Sequence, residues 1–332
     1  MKALILGGTR FLGRHVARTL VERGHDVSIF TRGHNPGDEK LQLTRYVGDR
    51  DGGLGAVPRE GWDAVIDTCG YVPSIVAASC AWLASAKRYL FVSSISVYDC
   101  SGDVAGDGRA PYTPRVVDKA DNDPENYGAS KKRCDDVVRA VFDDRGIVVR
   151  PGLIVGPYDP TNRFTYWVDR FADPGDVAAP APAEGHVQFV DARDLAEFMV
   201  KVLEDERSGI YDVTSPPATT TMERLVTTAR DTLASDSKIV WMDDAFLVAN
   251  GITGWMDLPV WVSTSQGMPG LMNTNVDRAL ADGLTIRPLA ETIRDTRAWS
   301  VTAAPADLMK APAGITREHE RELLEAWRAA KA

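Results

Sequence analysis

Residues 3 to 24 constrain the fold more than any other part of the chain. The apolar run Ala3–Leu6 ends in Gly7, and apolar residues then recur at helical spacing as far as Gly24. This pattern predicts a buried strand, a glycine turn and an amphipathic helix that Gly24 terminates. A turn of this kind leaves backbone N–H groups at the positive end of a helix, where phosphate groups bind. We therefore expect a nucleotide-binding fold.

The first half of the chain alternates strand-like and helix-like segments. Short apolar runs rich in Val and Ile are typical of strands that are buried on both faces of a parallel sheet. The predicted strands are Lys2–Leu6, Asp26–Phe30, Thr44–Val47, Ala64–Asp67, Tyr89–Ser93 and Ile147–Arg150. Further helices are predicted at Pro73–Ser85 and Pro124–Arg145, the latter with Asp123 as its N-cap. The alternation predicts an α/β fold with a doubly wound parallel sheet, the Rossmann architecture.

The pattern changes after Arg150, where segments rich in proline and glycine, including Pro174–Gly185, interrupt the alternation. One more strand, helix and strand are predicted at His186–Val190, Asp194–Glu204 and Ile210–Val213, and later helices at Met222–Leu233, Val276–Ala281, Leu289–Trp299 and Arg317–Ala330. A chain of 332 residues exceeds one comfortable core. We expect a dinucleotide-binding domain of residues 1–152 plus about 186–214, and a smaller, partly helical substrate domain of about 153–185 and 215–332.

Composition narrows the class of protein. The net charge of -9 argues against a nucleic-acid partner, which demands clustered Lys and Arg. No stretch approaches the ~20 apolar residues of a membrane span, and the N-terminus has no signal-peptide pattern. The four cysteines lack metal-ligand spacing. We expect a cytoplasmic protein with a small-molecule substrate, no metal and no membrane association, and we leave a homodimer open.

The end of the second predicted strand bears on cofactor choice. An acidic residue there would bind the ribose 2′-hydroxyl of NAD, whereas a basic one accommodates the 2′-phosphate of NADP. The sequence Thr31-Arg32-Gly33 offers no carboxylate, and Arg10 in the glycine turn could reach the same phosphate. Two guanidinium groups suit a dianionic phosphate. NADP(H) is therefore favoured over NAD(H).

Hydroxyl groups and a lysine indicate acid–base chemistry. Tyr127 and Lys131 are four residues apart, so both side chains lie on one helix face. A nearby ammonium should lower the phenol pKa, which is near 10, toward the working range. Ser93, Ser94 and Ser96 follow the fifth predicted strand, at the sheet edge where ligands sit. One of these hydroxyls is expected to bind a substrate carbonyl.

These motifs together resemble a known superfamily. The turn Gly7–Gly13, Ser94 with Tyr98, Tyr127 with Lys131, and Arg150-Pro151-Gly152 resemble the extended short-chain dehydrogenases/reductases. More narrowly, the turn GGTRFLG resembles the NAD-dependent epimerase/dehydratase branch. The likeness covers about the first 215 residues, and Pro288–Thr296 also resembles that branch. It specifies the superfamily better than it specifies the reaction.

The resemblance implies roles for individual residues. It makes Tyr127 the acid/base, has Lys131 hold the nicotinamide ribose, and selects Ser94 as the substrate-binding serine. Asp49 and Arg50 would flank the adenine. The remaining residues implied to bind cofactor are Gly7, Thr9, Arg10, Phe11, Leu12 and Gly13 in the turn, Thr68, Cys69 and Gly70 under the cofactor, and Pro151 and Gly152 beside the carboxamide.

The sequence determines the substrate-binding residues less well than the cofactor-binding residues. Its candidate residues are Ser96, Arg163, Tyr166, Trp167 and Gln188, with the stretch Trp255–Trp261. Arg163 is expected to hold a substrate carboxylate or phosphate, or else to form a surface ion pair. The aromatic residues either stack on a ring substrate or form the core of a small domain. The segment Arg150-Pro151-Gly152-Leu153 stands where sugar-nucleotide epimerases carry an Asn, which argues against a UDP-sugar as the substrate.

The sequence supports one principal function and two alternatives. The principal one is an NADP(H)-dependent oxidoreductase that acts on a carbonyl, alcohol or imine carbon of a small molecule. The first alternative is an epimerase or dehydratase with tightly bound NAD(P). The second is a non-catalytic nucleotide-binding or RNA-associated protein, a kind that the GGTRFLG branch includes in chloroplasts. The presence of Ser94, Tyr127 and Lys131 together argues against a pure binding role.

Overall fold

The computed structural model describes residues 1–100, 127–304 and 307–332. Its strands are β1 (Lys2–Leu6), β2 (Asp26–Thr31), β3 (Thr44–Val47), β4 (Ala64–Asp67), β5 (Arg88–Val92), β6 (Gly146–Pro151), β7 (Leu153–Val155), β8 (Asp176–Pro180), β9 (Phe189–Asp191), β10 (Gly209–Val213) and β11 (Lys238–Met242). Its α-helices are α1 (Phe11–Glu22), α2 (Pro73–Trp82), α3 (Tyr127–Phe142), α4 (Thr165–Ala172), α5 (Ala192–Glu204), α6 (Met222–Thr232), α7 (Asp244–Ala249), α8 (Asp277–Ala281), α9 (Leu289–Ser300) and α10 (Arg317–Lys331).

A parallel sheet forms the centre of the molecule, with seven strands among the described residues. Their order is β10-β6-β5-β4-β1-β2-β3, so the chain winds outward from β1 to β3 on one side and from β4 to β10 on the other. This confirms the predicted doubly wound fold. The direction of winding reverses between β1 and β4, and ligands bind at the carboxyl ends of strands beside such a switch point.

Helices cover both faces of the sheet. Helices α1 and α5 pack together on one face, and α2 and α3 pack together on the other. Leu12, Val16 and Leu20 recur every four residues along α1 and are buried against the sheet. Each fully buried side chain of this kind contributes about 1.5–3 kcal/mol. Gly24 ends the helix with a φ of +77° that favours glycine, and its N–H donates to the Val21 carbonyl at 2.9 Å.

A second hydrophobic cluster lies beyond the sheet. Helices α4, α6, α9 and α10 build it around two small parallel pairs, β7–β9 and β8–β11. The sequence predicted an interruption at 174–185, but Asp176–Pro180 is a buried strand there. Gly175 and Pro180 bound this strand closely, so turn-forming residues masked its short apolar run. Among the described helices, none is both long and apolar enough to cross a membrane.

Candidate functional site

A cleft of about 1540 Å³ opens at the carboxyl ends of the central strands. Pockets for one drug-sized ligand measure roughly 300–1000 Å³, so this cleft has room for two ligands. The glycine turn lines one end, and residues that follow β6 line the other. The described lining residues at that second end include Pro160, Thr161, Arg163, Trp255, Met256, Met268, Leu271 and Met309.

The glycine turn is packed too closely to accept a side chain at Gly13. A Cβ there would lie 2.6 Å from the backbone nitrogen of Gly8, so α1 begins directly against the turn. The start of α1, where backbone N–H groups have no partner within the helix, thus lies at this end of the cleft. The predicted turn residues all line the cleft: Gly7, Thr9, Arg10, Phe11, Leu12 and Gly13. This geometry fits a dinucleotide pyrophosphate.

Two arginines stand at this end of the cleft. Arg10 precedes α1 and Arg32 follows β2; both side chains are exposed and both line the cleft. Arg32 has no carboxylate within ion-pair distance among the described residues. Asp49, which is also exposed, lines the same end. The arrangement brings together the residues that the sequence assigned to the adenosine part of a cofactor.

Arg50 differs from its neighbours because its charge is turned into the protein. Its two Nη atoms contact the two carboxylate oxygens of Asp67, with Nη1 2.7 Å from Oδ1. Its Nε donates to the Ser79 Oγ at 2.9 Å, and Tyr89 donates to Asp67 at 3.0 Å. Asp67 is fully buried, so it needs a cation as partner. Arg50 thus lines the cleft while its guanidinium is paired with Asp67, and its place beside the adenine stays a prediction.

The segments expected beneath and beside the cofactor mostly reach the cleft. Thr68, Cys69, Pro151 and Gly152 line it. Gly70 does not: it lies behind the wall, where a Cβ would stand 2.5 Å from the Phe91 ring. Its carbonyl oxygen accepts a hydrogen bond from Lys131 instead. Its part in the site is to hold that lysine.

Tyr127, Ser94 and Lys131 come together in the middle of the cleft. Tyr127 begins the described part of α3, and the first residues of the predicted helix lie outside the described residues. Burial raises the pKa of Tyr127 and the Ser94 side chain lowers it to a smaller extent, so the two side chains lie near each other in the cleft. The Ser94 Oγ donates to the Ser96 Oγ at 3.0 Å and accepts from the Ser96 N–H at 3.1 Å. Ser94 therefore caps the short helical turn Ile95–Val97 while it faces Tyr127.

The pKa of Tyr127 is raised, not lowered as the sequence predicted. Burial raises it, while the Ser94 side chain and the charge of Arg163 lower it to a smaller extent. The prediction was wrong about which cation acts on the phenol. Lys131 points its ammonium toward the sheet, and Arg163 comes close enough to act in its place.

Lys131 is buried at the base of the cleft. Its Nζ donates to the carbonyl oxygens of Gly70 at 2.6 Å and Val92 at 2.7 Å. It also lies 4.8 Å from the centre of the Tyr71 ring and 4.6 Å from that of Phe91. Burial lowers the pKa of Lys131 to about 8. An ammonium has three N–H donors, so one remains for a ligand after the two carbonyls.

The substrate candidates divide into two groups. Ser96 and Arg163 line the cleft, and so does Trp255. Trp167 is fully buried and donates from Nε1 to the Pro259 carbonyl at 2.7 Å. Tyr166 packs on Trp167 with ring centres 5.0 Å apart. Both belong to the second hydrophobic cluster and do not line the cleft, because the inward face of α4 packs on that cluster.

Gln188 is also absent from the cleft lining. Its Nε2 donates to the carbonyls of Ser215 and Thr274 at 2.9 and 3.0 Å, and its Oε1 accepts from the Thr274 N–H. A buried amide with these bonds uses both of its N–H donors to join three chain segments and lies outside the cleft lining. The sequence-based expectation for Gln188 is corrected in this respect.

The sequence missed a polar network under the cleft floor. Arg150 donates from Nε to Asp135 at 2.9 Å and from Nη1 to the Tyr98 hydroxyl at 2.9 Å. Tyr98 donates in turn to Asp212, and burial raises the pKa of Asp212 to about 6. Tyr98 also lines the cleft. No local spacing marks these residues as partners, since they come from separate segments of the sheet and its helices.

The chain is similar in sequence to a known protein family and to individual proteins. The model of the NAD dependent epimerase/dehydratase family matches residues 3–78 and 74–214. The chain is 27% identical over 231 residues to the chloroplast stem-loop binding protein of 41 kDa b from Arabidopsis thaliana, a match covering 63% of this chain and 56% of that protein. It is 23% identical over 226 residues to the bifunctional pinoresinol-lariciresinol reductase of Linum corymbulosum, covering 62% and 66%. The matched part of this chain thus spans 56% of the length of the first relative and 66% of the length of the second.

Solved structures share the fold. UDP-glucose 4-epimerase from Bifidobacterium longum, determined in complex with NAD+ and UDP, superposes with a TM-score of 0.64 at 16% identity. The match covers 92% of this chain and 99% of that one. At this identity the likeness bears on the fold alone.

Proposed function

The chain belongs to the NAD dependent epimerase/dehydratase family, within the extended short-chain dehydrogenases/reductases, and from this premise we propose that it is an NADP(H)-dependent oxidoreductase. Its substrate would be a small molecule with a carbonyl, alcohol or imine carbon. The observation that carries the proposal is that Tyr127, Ser94 and Lys131 line one cleft, where Ser94 acts on the phenol of Tyr127 and the ammonium of Lys131 is buried. A protein that only bound nucleotides would not need this arrangement.

Each of the three side chains has a role in carbonyl reduction. The nicotinamide supplies hydride to the substrate carbon when the cofactor is bound. Ser94 donates a hydrogen bond to the carbonyl oxygen, and Tyr127 gives that oxygen a proton as negative charge develops on it. Because burial raises the pKa of Tyr127, the phenol stays protonated until it donates its proton to the substrate oxygen. Lys131 offers its remaining N–H to the cofactor ribose.

Replacement of Tyr127 tests this function. We expect Tyr127→Phe to reduce kcat by about 10²–10⁴-fold, the range that one acid–base group contributes, with little change in NADPH affinity. Tyr71→Phe is the matched control, since Tyr71 lines the same cleft and its ring centre lies 6.4 Å from that of Tyr127. It should retain turnover. Tyr127→Phe with normal turnover would refute the proposed chemistry.

Arg10 and Arg32 support NADP(H) over NAD(H). Both lie at the adenosine end of the cleft, where their guanidinium groups can form charge-assisted hydrogen bonds to a 2′-phosphate. A hydrogen bond to a charged group is worth about 1.5–3 kcal/mol, so Arg32→Ala should weaken NADPH binding by roughly ten- to a hundredfold and leave NADH binding unchanged. Cofactor fluorescence titration measures both. Arg45→Ala, an exposed arginine on β3 outside the cleft, is the control. An equal loss of both cofactors would contradict the assignment.

Family membership supports a second candidate, an epimerase or dehydratase that oxidises and reduces its cofactor within one cycle. That reaction needs a tightly held nucleotide and no net consumption of NADPH. Native mass spectrometry of the purified protein and an assay of NADPH consumption separate the two. Bound nucleotide without net consumption of NADPH would favour the epimerase or dehydratase, whereas stoichiometric NADPH oxidation without bound nucleotide would favour the oxidoreductase. The Arabidopsis relative makes RNA binding a third outcome, which salt-sensitive binding to a stem-loop RNA would reveal.

A further inference from the structure

Arg163 is a cation in the cleft wall that forms no ion pair within the described part of the chain, and the charge of Asp159 acts on it only from a longer distance. Its side chain is partly buried, and burial lowers its pKa. Its Nε donates to the Thr161 Oγ1 at 3.1 Å, and its guanidinium carbon lies 5.1 Å from the centre of the Trp255 ring. Among the described residues, no carboxylate lies within 4.0 Å of it, the distance that defines the ion pairs elsewhere in the chain. A partly desolvated cation of this kind is built to meet an anion.

The loop before α4 holds Arg163 in place. Asp159 is fully buried and accepts two hydrogen bonds from Thr161, from its N–H at 2.8 Å and from its Oγ1 at 2.7 Å. Asn162 has a φ of +63° and donates to the Ala313 carbonyl at 2.7 Å, which turns the chain sharply before the arginine. With Nε bound to Thr161, the two Nη groups of Arg163 remain as a pair of parallel donors, the geometry that a carboxylate accepts.

Arg163 also differs in position from the other basic residues of the cleft. The basic residues that line the cleft among the described residues are Arg10, Arg32, Arg50, Lys131 and Arg163. The first two stand at the glycine turn, Arg50 is paired with Asp67, and Lys131 is bound to backbone carbonyls. Arg163 is therefore the one basic residue at the substrate end of the described lining. A nucleotide diphosphate carries at least two charges and would call for more.

Large apolar side chains line the same end of the cleft as Arg163, together with the polar residues Thr253 and Gln266. Trp255, held with a φ of +72°, presents its ring to the guanidinium, and three methionines with one leucine lie in this part of the wall. These four residues are Met256, Met268, Leu271 and Met309. Methionine side chains adapt to irregular apolar ligands, and an indole ring offers a flat apolar surface. The site thus combines one positive charge with a largely apolar chamber.

We propose that Arg163 binds the carboxylate of an oxo acid whose apolar body packs against Trp255 and the methionines. The position of the oxo group at Ser94 and Tyr127 rests on the proposed function, whereas the carboxylate site stands on the contacts of Arg163. A single guanidinium matches a monoanion, which favours a carboxylate over a phosphate monoester. An anion on Arg163 would also remove the charge that lowers the pKa of Tyr127, so binding would help the phenol to keep its proton.

Isothermal titration calorimetry with matched pairs of ligands tests the site without turnover. The probes are 4-phenylbutanoate with 4-phenylbutanamide, octanoate with octanamide, and 4-phenylbutylphosphonate, each titrated with and without saturating NADP+. We expect the wild-type protein to bind at least one carboxylate tenfold or more tightly than its amide. In Arg163→Gln this preference should fall to within twofold, while the affinity for the amide stays unchanged.

Two further variants sharpen the result. Arg163→Lys should keep part of the preference, because it retains the charge without the planar pair of donors. Arg230→Gln, which removes a surface arginine of α6 paired with Asp231, should behave as wild type. The proposal is overturned if no pair shows a carboxylate preference, if Arg163→Gln retains one, or if the phosphonate binds tenfold more tightly than the carboxylate. These outcomes do not depend on turnover, so they are distinct from the result with Tyr127→Phe.

Discussion

Gly128 packs directly on the backbone of Ser96. A Cβ at residue 128 would lie 1.9 Å from the Ser96 carbonyl oxygen and 2.9 Å from its carbonyl carbon, closer than any real side chain comes to a backbone. The contact presses the start of α3 against the turn that Ser94 caps. The residue that follows Tyr127 must therefore be glycine if the phenol is to reach Ser94.

We expect Gly128→Ala to lower kcat by roughly a hundredfold, because a shift of about 1 Å between reacting groups costs this much. The backbone of Ser96 cannot turn aside as a flexible side chain would, so α3 has to move and carry Tyr127 with it. Gly55→Ala is the control, since no atom lies within 4 Å of a Cβ at that position. Steady-state kinetics measure the effect, and wild-type kcat in Gly128→Ala would show that the contact does not position Tyr127.

The pH profile of reduction should reflect Lys131. Burial lowers its pKa to about 8, so the ammonium loses its proton as the pH rises through that value. The pKa of Tyr127 is raised, so the phenol titrates later. We expect kcat to be level below pH 7 and to fall about tenfold per pH unit above pH 8. Lys132→Gln, whose lysine pairs with Asp136 on the same helix, should keep this limb. A level profile up to pH 10 would contradict the assignment.

His15 should make the protein less stable in acid. It is buried and its Nε2 donates to the Pro157 carbonyl at 3.1 Å. Burial lowers its pKa to about 4; the hydrogen bond to Pro157 and the charge of Asp191 raise it to a smaller extent, and the charges of Arg193 and Arg18 lower it slightly further. The unfolded chain binds a proton near pH 6.5 and the folded chain only near pH 4, so stability falls as the pH drops between these values.

The loss at His15 amounts to about 3 kcal/mol when the shift is converted at 1.36 kcal/mol per pKa unit. Urea denaturation from pH 7 to pH 4 measures it. His15→Gln should show a dependence on pH that is weaker by this amount, whereas His319→Gln, an exposed histidine on α10, should follow the wild type. Identical curves for wild type and His15→Gln would disprove the prediction.

A buried ion pair fastens α10 to the rest of the second cluster. Arg170 donates from Nε to both carboxylate oxygens of Glu320 at 2.9 and 2.6 Å, and the Ala178 N–H donates to Glu320 at 3.1 Å. Glu320→Ala leaves the arginine charge buried, so we expect the free energy of unfolding to fall by about 3–5 kcal/mol. The double variant Arg170→Met/Glu320→Leu should regain most of it. If the single variant unfolds at the wild-type urea concentration, the pair does not contribute as argued.

Local patterns predicted most of the backbone. The predicted strands at Lys2–Leu6, Thr44–Val47 and Ala64–Asp67 agree with β1, β3 and β4 to the residue, and α1 ends before Gly24 as expected. Strand β7 and the pair β8–β11 were missed, since three- to five-residue strands among prolines and glycines leave little periodicity to detect. Local patterns also predicted the part of the site that lies within one helix. Tyr127 and Lys131 share a face because a helix places residues four apart next to each other.

Side-chain direction between elements had to come from tertiary structure. The sequence did not reveal that the guanidinium of Arg50 pairs with Asp67, and Trp167 looked like a substrate contact until it was found in the core. Arg163 could be read equally as a surface residue, and its isolation beside Trp255 depends on a loop far along the chain. The sequence by itself determined the strands, the glycine turn and the Tyr127–Lys131 spacing, because backbone hydrogen bonding obeys local periodicity. Only the packed structure decided which charges pair with each other and which face the cleft, because those energies arise between distant segments.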